Sequence, residues 1–94
     1  MRLYLDEKNT LTEIIKNLDA EVYLFGSRVD DTKKGGDIDI LIFSNQNPLQ
    51  LSQKISRDFY LALESKLDVV VIDKKNMSED QALFVNSLIL ERLK

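Results

Sequence analysis

The chain has 94 residues, a formal charge of −3, 31% charged residues, and neither cysteine nor histidine. A chain of this length buries about 65% of its unfolded surface, enough for one modest core, so residues 1–94 are read as a single domain with no separate unit to hold a substrate. The mild acidity excludes strong non-specific attraction to nucleic acid or acidic membranes, and the two missing residue types exclude disulfides, iron–sulfur clusters, zinc–cysteine sites, histidine metal sites and Ser-His-Asp triads.

Met1 to Leu5 (MRLYL) reads either as an edge strand or as a helix lead-in. It has neither the basic n-region nor the long apolar h-region of a signal peptide. No apolar run approaches the roughly 18 residues of a membrane span, so a cytoplasmic location is expected. Thr10 with Glu13 has the form of a capping box and predicts a helix over 10–18, with Leu11, Ile14, Ile15 and Leu18 on one face. Glu21 to Phe25 (EVYLF) is β-branched and aromatic and predicts a strand that stops at Gly26; Asp37 to Phe43 (DIDILIF) predicts a second. Asn47 as N-cap and Pro48 as first helical residue open a longer helix, with Leu51, Ile55, Phe59, Ala62 and Leu63 inward and an end near Lys66. Leu67 to Ile72 (LDVVVI) is the third strand. Ser78 with Gln81 is a second capping box, opening a last helix that runs to about Leu93.

Connector lengths set the topology. The loop between the first two strands is too short for a parallel crossover, so those strands should pair antiparallel, bringing Gly26-Ser27 beside Asp37. The second and third strands are joined by a full helix, which makes a parallel, right-handed crossover natural and puts Asp68 beside the start of the second strand. The fold class is therefore α/β in the α+β sense, a small mixed sheet with helices packed on it.

With imidazole and thiol absent, catalysis is confined to carboxylates, hydroxyls, Lys, Arg or a bound metal. Asp37 and Asp39 are two apart on a strand and share a face, where they can hold a divalent cation together. Gly26-Ser27 ends an apolar run with a tight turn and a hydroxyl suited to phosphate. With Asp68 added, three carboxylates about 6.5 Å apart would repel by roughly 2.5 kcal/mol per pair at an effective dielectric near 20, which calls for cations. Oxygen ligands favour Mg²⁺ or Mn²⁺, two of which can stabilise the attacking and leaving oxygens of an in-line displacement. Against this stands a plainer account of each piece, with Asp-x-Asp as a solvated strand edge, Asp68 as a strand entrance facing water, and Lys33 and Lys34 as solvated loop charges. Arg28 is open between contact with phosphate and pairing with Asp30, Asp31 or another structural carboxylate. Gly35-Gly36 is followed by Asp37 rather than Lys-Ser or Lys-Thr, so no P-loop is present.

Phe25-Gly26-Ser27-Arg28, a loop, Gly36-Asp37-Ile38-Asp39 on the next strand and Asp68 on a later one resemble the nucleotidyltransferase superfamily related to DNA polymerase beta, in particular its minimal nucleotidyltransferases. The likeness extends from the first helix to the last and implies the polymerase beta-like fold. It further implies that Asp37 and Asp39 ligate two Mg²⁺ ions, that Asp68 binds the catalytic metal and helps deprotonate the acceptor, and that Gly26 and Ser27, with Arg28 beside them, hold the phosphates of ATP. Departures from the family pattern are Asp30-Asp31 in the loop, a loop shorter than in some relatives, and Gly36 where Ser is common. Small members resemble the antitoxin half of a pair with a HEPN-domain toxin, and that likeness implies transfer of AMP to a tyrosine of such a partner within a hetero-oligomer. Two other roles stay open: neutralisation of the partner by contact alone, and nucleotidyl transfer to a small molecule. The last helix and the Asn47 to Lys66 helix, with Tyr60 and Leu61 off its stripe, are apolar around much of their circumference. A three-stranded sheet leaves part of that surface uncovered, either as ragged core helices or as an interface.

Overall fold

The computed structural model describes residues 1–94. Its elements are α1 (Leu5–Ile15), β1 (Glu21–Phe25), a 3₁₀ turn (Gly26–Val29), β2 (Ile38–Phe43), α2 (Pro48–Leu63), β3 (Leu67–Ile72), α3 (Glu79–Asn86) and β4 (Glu91–Arg92). They form a four-stranded mixed sheet in the order β3-β2-β1-β4. As the connector lengths require, β1 pairs antiparallel with β2 and β2 parallel with β3, with Asp39 opposite both Phe25 and Asp68.

Strand alternation divides the sheet into two faces with different fates. Val22 and Leu24 of β1, Ile38, Ile40 and Ile42 of β2, and Leu67 and Val71 of β3 join Leu11, Ile15, Leu51, Ile55 and Phe59 from α1 and α2 in the main core. The opposite parity places Leu41, Phe43 and Ile72 in a smaller cluster with Tyr23, Phe25, Val70 and, from the C-terminal region, Val85, Leu88 and Leu90. Asp37, Asp39 and Asp68 share this second parity. One face of the sheet is thus apolar at one end and acidic at the other.

Helix ends fall short of expectation in α1, which stops at Ile15 rather than Leu18, and in α2, which stops at Leu63 rather than near Lys66; two larger differences follow. The first helix begins at Leu5 instead of Thr10, because the Glu7 carboxylate turns back to accept the Tyr4 backbone N–H at 2.9 Å and closes the N-terminus a turn earlier. The Thr10/Glu13 spacing falls inside the helix, and MRLYL proves to be its lead-in, tied down by the Arg2 N–H to the Arg28 carbonyl at 2.7 Å. The last helix stops at Asn86 instead of continuing to Leu93. The exposed side of β1 still has unpaired backbone groups, and Glu91–Arg92 satisfies them as an antiparallel edge strand, extended by Leu93 N–H to the Val22 carbonyl at 2.8 Å. The other two caps form where the sequence puts them: Asn47 Oδ1 accepts from Gln50 N–H at 3.0 Å, and Ser78 and Gln81 close a reciprocal box. Glu64 ends α2 in the left-handed region at φ 53°. No helix is long and apolar enough to cross a membrane.

Candidate active site

The site is built where the Gly26–Val29 turn meets the starts of β2 and β3. Gly26 has φ 76°, and a Cβ there would overlap Asp39 Oδ2, so the bare Cα lets the carboxylate lie against the turn. Gly36 interlocks in the same way from the other side: at φ 88°, a Cβ would overlap Ser27 Oγ. The departure from the common Ser at this position therefore has a steric basis, since the loop closes directly over the Ser27 hydroxyl. These two contacts bring the Gly-Ser and Asp-x-Asp segments together.

Asp39 and Asp68 face each other across β2 and β3. Partial burial raises the Asp39 pKa, and the charges of Asp68 and Asp37 and a hydrogen bond shared with Asp68 raise it further, opposed by Lys66. Asp37 lies one residue before β2 with its carboxylate 4.0 Å from Lys66 Nζ, which also lies 3.4 Å from Asp68 Oδ1. The expected convergence is partial. Asp39 and Asp68 are neighbours, while Asp37 meets them through Lys66, and no set of three acids stands in chelating geometry. The donor set is nonetheless all oxygen and carries a net negative charge, and this chemistry fits a hard divalent cation.

Arg28 resolves to the structural side of its two readings, although its partner is neither Asp30 nor Asp31. It is buried and paired with Glu7 of α1, Nη1 to Oε1 at 2.8 Å and Nη2 to Oε2 at 3.1 Å, and it also donates to the carbonyls of Gly36 and Arg2. Burial pushes the Glu7 carboxyl up, but hydrogen bonds from Arg28 and Tyr4 N–H and the charges of Arg28 and Arg2 outweigh it and hold the pKa below the ordinary range. The loop acids are also local. Asp30 accepts from Thr32 N–H and Oγ1 at 2.9 and 2.6 Å, and Asp31 faces the Met1 amino group at 3.0 Å. Lys33 and Lys34 are exposed.

Three residues that sequence reasoning left aside prove to shape the site. Arg2 holds the loop at both ends, donating to the carbonyls of Ser27, Asp30 and Gly35, each at 2.9 Å. Glu7 positions Arg28, and no spacing in the sequence links those two. Lys66 was the visible one, an ammonium two residues from Asp68.

The profile of a family described as a nucleotidyltransferase domain matches residues 8–94, so the chain belongs to that family. Its members generally use a nucleoside triphosphate and a divalent metal. No curated protein matches the chain.

Proposed function

We propose that the protein is a Mg²⁺-dependent adenylyltransferase that moves AMP from ATP to a tyrosine hydroxyl of a HEPN-domain partner and thereby acts as its antitoxin. The observation that carries this reading is the Asp39–Asp68 pair, set across two parallel strands with Asp39 against the bare Cα of Gly26. Asp37, Asp39 and Asp68 would hold the metal, with Mn²⁺ able to replace Mg²⁺; once bound, the metal supplies charge neutralisation at the phosphates. Gly26 and Ser27 sit at the turn where the β- and γ-phosphates would lie, leaving the α-phosphorus open. Asp68, facing Asp39 from the neighbouring strand, accepts the proton of the acceptor hydroxyl as the new O–P bond forms and pyrophosphate departs. Arg28 is committed to Glu7 and is assigned no phosphate. Two exposed apolar patches are open to the partner, Tyr60 and Leu61 of α2 on one side of the sheet, and Leu83 and Phe84 of α3 with Ile89 after it on the other.

The test is label transfer from α-³²P-ATP to the HEPN protein. Wild-type chain should label the partner, while Asp39→Ala and Asp68→Ala should not, with melting temperatures showing that both variants fold. Undiminished transfer by either variant would sink the assignment. Neutralisation of the toxin that survives loss of all three carboxylates would assign the effect to contact instead.

A further inference from the structure

Lys66 is the residue immediately before β3, and it is the one cation in the chain that pairs with the acidic end of the sheet. Its ammonium bridges carboxylates from two strands, Asp68 Oδ1 at 3.4 Å and Asp37 Oδ2 at 4.0 Å, at the point where the negative charge is most concentrated. Two other exposed lysine pairs, Lys16 with Glu13 at the end of α1 and Lys54 with Asp58 within α2, are local one-to-one contacts. We propose that Lys66 is a tethered counter-cation of this site: it neutralises the carboxylates when no divalent ion is bound, has to be displaced when one enters, and so sets the affinity of the ion. This rests on the reading that Asp37, Asp39 and Asp68 hold a divalent cation.

The structure gives the ammonium somewhere to go. Its side chain is 67% exposed, and a lysine stem is flexible enough to swing without backbone movement. Lys66 already lines a groove of about 550 Å³ with Gln53, Ser56, Arg57 and Tyr60 along the outer side of α2. On its other side, it lines a polar cavity of about 110 Å³ beside Glu7 and Asp37. Because like charges repel, a positive charge that the protein itself places among these carboxylates weakens binding of the metal. The lysine is a positioning residue in this scheme, acting on the carboxylates and not on the reacting atoms.

The experiment titrates Mn²⁺ alone into the full chain, followed by the loss of the free-ion electron paramagnetic resonance signal. Lys66→Met should bind Mn²⁺ roughly fivefold more tightly than wild type, the scale of one half-exposed charge pair, and Lys66→Arg should return to the weaker wild-type value. In chelator, Lys66→Met should melt at a lower temperature than wild type, and saturating Mn²⁺ should close that difference. Equal or weaker Mn²⁺ binding by Lys66→Met, alongside loss of binding in Asp39→Asn, overturns this inference and leaves the carboxylate site standing. Absence of saturable Mn²⁺ binding in wild type and Lys66→Met alike overturns both.

Discussion

Two charged clusters share the walls of one small cavity and behave oppositely. Glu7 and Arg28 are buried, matched one to one, and joined by two hydrogen bonds, with two more guanidinium donors given to the carbonyls of Gly36 and Arg2. Across that cavity, Asp37 and Lys66 belong to a cluster in which one ammonium meets two partly exposed carboxylates, Asp37 and Asp68, with Asp39 beside Asp68. The first is closed, because each charge has its counterpart within the chain. The second is open: partial burial and then the surplus negative charge raise the proton affinity of Asp39, and that surplus makes the cluster receptive to cations. The comparison teaches that a charged group beside this cavity is a site or a strut depending on whether its charge is fully matched by partners within the chain.

The largest way to break this contrast is Glu7→Ala, which leaves the Arg28 charge buried and unpaired. Loss of one partner of a buried pair costs about 3–5 kcal/mol, a substantial part of the stability of a small domain. Urea unfolding should show that fall. A loss below 1 kcal/mol would mean that the pair is solvated and the distinction between closed and open clusters fails. Gly26→Ala probes the other cluster. A left-handed φ costs an L-residue about 1–2 kcal/mol, and the added methyl also displaces Asp39. Because displacement of a reacting group by about 1 Å can cost on the order of 10²-fold in rate, transfer activity should fall far more than stability does. An equal, small loss in both would separate the glycine from the chemistry.

The smallest effect is in pH. Protonation of Asp39, whose pKa is raised in the folded chain, relieves repulsion, so in chelator the melting temperature should rise slightly as pH falls from neutral through that raised value. Glu7 has a lowered pKa, so its contribution is complete above the unfolded carboxyl range and is lost as pH falls through its folded value, and the curve should turn down there. Asp39→Asn should remove the early rise and keep the later fall, while Glu7→Gln should flatten the fall. A monotonic curve in wild type would contradict the ordering of the two clusters.

Much of the fold was legible because its signals are local. The three long strands, the Asn47–Pro48 helix start and the Ser78/Gln81 box depend on residues within a few positions of one another, and the structure places them as expected. The antiparallel and parallel pairings followed from connector length alone. Where the local signal was ambiguous, the reading slipped. Thr10/Glu13 has a cap's spacing but sits within a helix that Glu7 starts earlier, and the apolar run after Asn86 suits a helix or a strand equally until the open edge of β1 selects the strand.

The candidate site divides along the same line. The sequence by itself determined which chemistry is available, through the absence of His and Cys, the Gly-Ser turn and the carboxylates that parity aligns on one face. Only the tertiary structure decided that Arg28 is a strut for α1 and that Asp39 lies against Gly26. It alone set Lys66 between Asp37 and Asp68. Apart from Lys66 and Asp68, which are near neighbours in sequence, those are contacts between segments distant along the chain, and no pattern within either segment specifies them; they arise when packing of the helices on the sheet brings otherwise independent charges within a few ångströms.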